Sequence, residues 1–63
     1  MADLDRITVN PNVMGGKACI RGMRVTVSLI LDLLAAGHSR EEILRAYPYL
    51  EDGDIDAALA YAW

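Results

Sequence analysis

Sixty-three residues, 54 % of them apolar, with a formal net charge of −3 and a single cysteine, describe one small domain. Such a domain buries only about 60 % of the surface that its unfolded chain exposes, so its stability margin is thin. One cysteine excludes an internal disulfide, and Cys19 with His38 offers no CxxC or HxxxH spacing, so neither a metal nor another cofactor is expected.

The first predicted strand is "RITV", residues 6–9, short and β-branched. Asn10-Pro11-Asn12 supplies a turn and Gly15-Gly16 a second break. "ACI" at 18–20 is the next extended piece, Arg21-Gly22 turns again, and "RVT" at 24–26 is the third. From Val27 the period changes. Val27, Ile30, Leu31 and Leu34 fall at i, i+3, i+4 and i+7, one face of a helix that Leu29 and Leu33 widen and Gly37 stops. Ser39 and Glu42 have the spacing of a capping box for a second helix, with Ile43, Leu44 and Tyr47 inward and Pro48 ending it. Glu51 or Asp52 caps a third helix, where Ile55, Ala58, Leu59 and Ala62 repeat the apolar stripe. One domain over residues 1–63 is expected, with β segments in 1–26 and three helices in 27–63.

Charge divides along the chain. Residues 1–24 carry four basic and two acidic side chains, whereas residues 25–63 carry two basic and seven acidic ones. A polyanion would therefore meet the N-terminal third first. Lys17, Arg21 and Arg24 are the candidate phosphate contacts; alternatively, the arginines pair with the acidic helices. No P-loop is present, because Gly15-Gly16-Lys17 is followed by Ala18 and a strand. His38 lacks a sequence-evident nucleophile, and Asp54 and Asp56, two apart on a helix, diverge, so an enzyme is not expected. Residues 39–62 have the layout of a helix-turn-helix, yet the last helix shows aspartates where a DNA reader carries Arg, Lys, Asn or Gln. Tyr49, Tyr61 and Trp63 are the candidate partner contacts, since the tyrosine and tryptophan off the stripe should be exposed. With no leader and no apolar run near 18 residues, a soluble cytoplasmic protein is expected. Thin cores and short strand edges also favour a homodimer joined through the N-terminal strands.

"ITVNPNVMGGKACIRGMRV", "ILDLLAAGHSREEILRAYPYL" and "DIDAALAYA" together resemble the family catalogued as domain of unknown function 433, from about Ile7 to Ala62. Ala18, Met23 and Thr26 depart from its usual proline, threonine and proline. The resemblance implies a mainly α fold, a homeodomain-like three-helix helix-turn-helix unit with a short N-terminal β hairpin. It also implies a VapB-like antitoxin that binds and neutralises a PIN-like ribonuclease toxin and represses its own operon by binding operator DNA. Two other readings remain open: a DNA-binding regulator without a toxin, and a self-associating structural module.

Overall fold

A computed structural model describes residues 4–62. A 3₁₀ turn, Leu4–Arg6, leads into strand β1, Ile7–Thr8, which pairs antiparallel with β2, Cys19–Ile20, placing Ile7 opposite Ile20 and Thr8 opposite Cys19. Three helices follow: α1, Val27–Ala35; α2, Arg40–Ala46; and α3, Asp52–Tyr61. The chain is thus a mainly helical three-helix unit with an N-terminal β hairpin, as its sequence predicts.

Local chemistry explains each connection between β1 and α1. The Asn10 carbonyl accepts from Val13 N–H, and its side-chain oxygen accepts from Asn12 N–H, both at 2.9 Å. Met14, Gly15 and Gly16 then run through positive φ (50°, 66° and 85°), which two glycines make tolerable. After β2 the chain reverses at Arg21-Gly22, both at positive φ, with Met23 N–H donating to the Ile20 carbonyl at 2.8 Å. Arginine thus stands at a left-handed φ where asparagine or glycine is commoner. The third extended piece is shorter than read: it is a single bridge between Cys19 and Thr26, flanked by Ile20 N–H donating to Val25 O and Val27 N–H to Ala18 O. Thr26 leaves the ladder there because its hydroxyl caps α1, accepting from Leu29 N–H at 3.0 Å.

Helix ends follow the sequence closely. Gly37 (φ 97°) closes α1 with its N–H on Leu34 O while His38 N–H bonds to Leu33 O, the paired pattern of a Schellman stop. Ser39 and Glu42 form the expected reciprocal box on α2, and Tyr47 leaves helical geometry just before Pro48. Ser39→Ala is expected to lower stability by about 1 kcal/mol, read from the midpoint of urea unfolding, without altering the fold.

Ile20, Val25, Val27, Ile30, Ile43, Leu50, Ile55 and Ala58 make the core, with Leu31 and Leu34 only half-buried against it. α3 departs from expectation. It buries Asp54, Ile55, Ala57 and Ala58, while Leu59 is 39 % exposed and Ala62 is exposed. The buried arc is rotated toward Asp54 because the helix packs on the 3₁₀ turn and β1 as well as on α1. No helix among the described residues is long and apolar enough to cross a membrane.

Candidate functional site

Asp54, read from sequence as a polar position of the last helix, is fully buried. Both of its oxygens are saturated. Oδ1 accepts from Arg6 Nη1 at 2.9 Å and Arg21 Nε at 3.1 Å; Oδ2 accepts from Arg21 Nη2 at 2.9 Å and Glu51 N–H at 2.8 Å. Asp54 therefore does two jobs. It satisfies an N–H at the start of α3, and it fastens the open end of the hairpin to that helix through the residue before β1 and the residue after β2.

Each partner is positioned by its own segment. Arg6 ends the 3₁₀ turn and reaches across Gly53, where a Cβ would sit 2.8 Å from its Cζ, so the missing side chain makes room for the guanidinium. Its Nη1 also meets Glu51 Oε1 at 2.7 Å. Arg21 projects from the turn after β2, and its Nη2 additionally donates to the Tyr49 carbonyl at 2.9 Å. The positive φ of Arg21 is thus held by a bidentate carboxylate contact and a backbone acceptor.

Burial pushes the Asp54 carboxyl up, but the bonds from Arg21, Glu51 N–H and Arg6 outweigh it and hold it below the usual carboxylate range. The same contacts raise both guanidiniums, Arg6 through Glu51 first and Asp54 second, and Arg21 through Asp54.

Of the three cations read as a phosphate-contacting surface, one is committed to a carboxylate. Arg21 is engaged with Asp54, the pairing with the acidic helices that the sequence left open. Arg24 lies beyond the same turn, exposed. Lys17 lies two residues before β2, four residues and about 13 Å of extended chain from Arg21. Among the described residues neither Lys17 nor Arg24 forms an ion pair. Arg40, at the first turn of α2, instead spans Asp52 at 3.2 Å and Asp56 at 2.7 Å on the outer side of α3.

Two of the three aromatic candidates are on the surface: Tyr49 is 52 % exposed and Tyr61 49 %. Trp63 lies outside the described residues. Tyr49 stacks edge-on against Tyr47, centroids 6.1 Å apart, which fixes its ring beside the core without covering it. Tyr61 is exposed for a reason the sequence reading missed. It lies seven residues from Asp54 and four from Ala57, on the core-facing arc of α3, one turn past the point where the core ends.

No group of three His, Cys, Asp or Glu side chains among the described residues is arranged to hold a metal. Cys19 is buried, its thiol donating to Lys17 O at 3.3 Å. What this surface offers is a rigid acidic helix with exposed aromatic and aliphatic side chains.

A family model described as "Protein of unknown function (DUF433)" matches residues 7–62. The uncharacterized protein y4eO of Sinorhizobium fredii is 41 % identical over 56 residues, 89 % of this chain and 25 % of that protein. The crystal structure of a DUF433 member from Anabaena variabilis superposes with a TM-score of 0.85 at 36 % identity, covering 89 % of this chain and 55 % of that one. The chain therefore spans a quarter of the curated relative and just over half of the solved one.

Proposed function

We propose that this chain, which belongs to the DUF433 family, is a non-enzymatic protein-binding module of the antitoxin kind, engaging a PIN-like ribonuclease through its third helix. The observation that carries the reading is the exposure of Tyr49, Leu59 and Tyr61 on and beside α3. Aromatic rings held on a rigid element supply contact area at low entropic cost, and they are over-represented among interface hot spots.

Three features weigh against groove reading by α3. Its first turn is covered by Arg6 and Arg21, its N-terminal N–H is taken by Asp54, and its outer side carries Asp52 and Asp56. Such a helix repels phosphate. Operator binding, if it accompanies partner binding, falls to Lys17 and Arg24, which are exposed. A homodimer through the outer edge of β1 belongs to the same reading, because β1 is paired with β2 on one side only among the described residues.

The test is reconstitution with the nuclease encoded beside this chain. Stoichiometric loss of RNA cleavage on adding the protein is expected, with the two co-eluting in size-exclusion chromatography. Undiminished cleavage, or no nuclease-like neighbouring frame, contradicts the proposal.

A further inference from the structure

We propose that the outer edge of β1 pairs antiparallel with β1 of a second copy, Thr8 lying on the two-fold axis and Val9 of each copy packing against Ile7 of the other. The proposal rests on the edge pairing in the protein-binding reading above and gives it a register and a contributed residue.

Backbone geometry fixes what the edge presents. Arg21 N–H donates to Arg6 O at 2.7 Å, while Ile7 lies opposite Ile20 and Thr8 opposite Cys19. Alternation along the ladder turns the N–H and C=O of Thr8 toward β2 and those of Ile7 away from it. Ile20 agrees, since its N–H bonds to Val25 O on the far side of β2. The Thr8–Val9 peptide is trans, so Val9 N–H points opposite to the Thr8 carbonyl and outward as well. Ile7 N–H, Ile7 O and Val9 N–H thus leave the sheet at its edge, without a hydrogen-bond partner among the described residues.

The length of this edge selects its occupant. Pro11, at the next outward position, has no N–H, and Leu4–Arg6 has already turned into a 3₁₀ helix. A longer strand from another protein would run past both ends with its own groups unpaired. A second copy ends where this one ends. With Thr8 on the axis, each Val9 N–H donates to Ile7 O of the other copy and each Ile7 N–H to its Val9 O, so all the outward groups are used. Arg6 falls opposite Asn10 in that register, and no like charges meet.

Side chains fit the same register. Ile7 is half-buried against the core, and Val9, on the same face two residues on, is 62 % exposed. Each Val9 then covers the Ile7 opposite it, an apolar cross-strand pair that neither copy makes alone. The segment "ITV" also carries none of the charges or prolines that guard a solvent-facing edge. A standard interface takes about 800 Å² from each partner, and three residues cover far less, so the dimer is weak and concentration-dependent.

The test is an equal mixture of isotope-labelled and unlabelled chain at high concentration. An interchain contact between the Thr8 α-protons of the two copies is expected, the mark of a non-hydrogen-bonded antiparallel pair, with a second between Val9 and Ile7 methyl groups. Sedimentation should show a monomer–dimer equilibrium that weakens roughly tenfold or more in Val9→Lys and is unchanged in Tyr61→Ser. A monomer at every concentration, interchain contacts confined to other segments, or equal association of wild type and Val9→Lys overturns the proposal. The interchain contacts are read on the wild-type chain, so they decide the matter even if Val9→Lys does not fold. No nuclease takes part, so a monomer that still inhibits the nuclease removes the pairing and leaves the antitoxin reading standing.

Discussion

Asp54→Ala is expected to lower the free energy of unfolding by about 2–4 kcal/mol, the scale for removing a buried, charge-assisted hydrogen-bond acceptor. The upper part of the buried-pair range is discounted because the guanidiniums of Arg6 and Arg21 are partly exposed and can rehydrate once the carboxylate is gone. At roughly 0.05–0.15 kcal/mol per residue, a chain of this size has only about 3–9 kcal/mol to lose. Urea unfolding followed by circular dichroism reads the change. Asp54→Asn should fall between wild type and alanine, since an amide oxygen can still accept from Glu51 N–H while losing the ion pairs. Arg21→Lys should not restore the wild-type midpoint, because a single ammonium cannot reproduce the bidentate contact or reach Tyr49 O at the same time.

The pH dependence follows in sign. Asp54 has a depressed folded-state pKa, so its contribution is complete above the unfolded value of about 3.9 and is lost as pH falls through the lower folded value. Wild type should therefore lose stability on the acid side more steeply than Asp54→Asn, in which that linkage is absent. Parallel acid limbs for the two proteins would mean that the carboxylate is not paired in the folded state.

The second large effect separates the two sides of α3. Ile55→Ala should cost about 2–4 kcal/mol, since Ile55 is fully buried and its loss leaves a cavity between α3 and α1. Leu59→Ala should change stability by less than about 1 kcal/mol, because more than a third of Leu59 already faces solvent. The sequence stripe places both residues in the core, so equal costs would support that stripe and contradict the rotated arc.

The two sites differ in how far the sequence reaches them. Ser39 and Glu42, Gly37, and the Tyr47-Pro48 break were all legible because each signal acts within a few residues. The three extended pieces were legible for the same reason, although Thr26 was taken by the helix cap that its own hydroxyl makes. Asp54 was not legible as buried. Its partners Arg6 and Arg21 lie 48 and 33 residues away, and hydrophobic periodicity scores any aspartate as outward. A signal was available in its position three residues after Glu51, the place where an acidic side chain reaches back to the N-cap N–H. With Asp54 inside, the arc turns, Leu59 moves outward, and Tyr61 comes to lie on the core-facing line beyond the core. Of the basic residues Lys17, Arg21 and Arg24, Arg21 is bound to Asp54, a partner 33 residues away that no local signal gives.

The measurement that bears most directly on this account is a carbon-13 NMR titration of the Asp54 side-chain carboxyl in the folded protein. A carboxylate closed off by Arg6, Arg21 and Glu51 N–H should titrate below the ordinary aspartate value of about 3.9, and only as the protein begins to unfold. Titration at or above that value in a chain that stays folded would show a hydrated or unpaired Asp54. It would release Arg21 for other ligands and contradict the hairpin-to-helix clamp on which the placement of α3 depends.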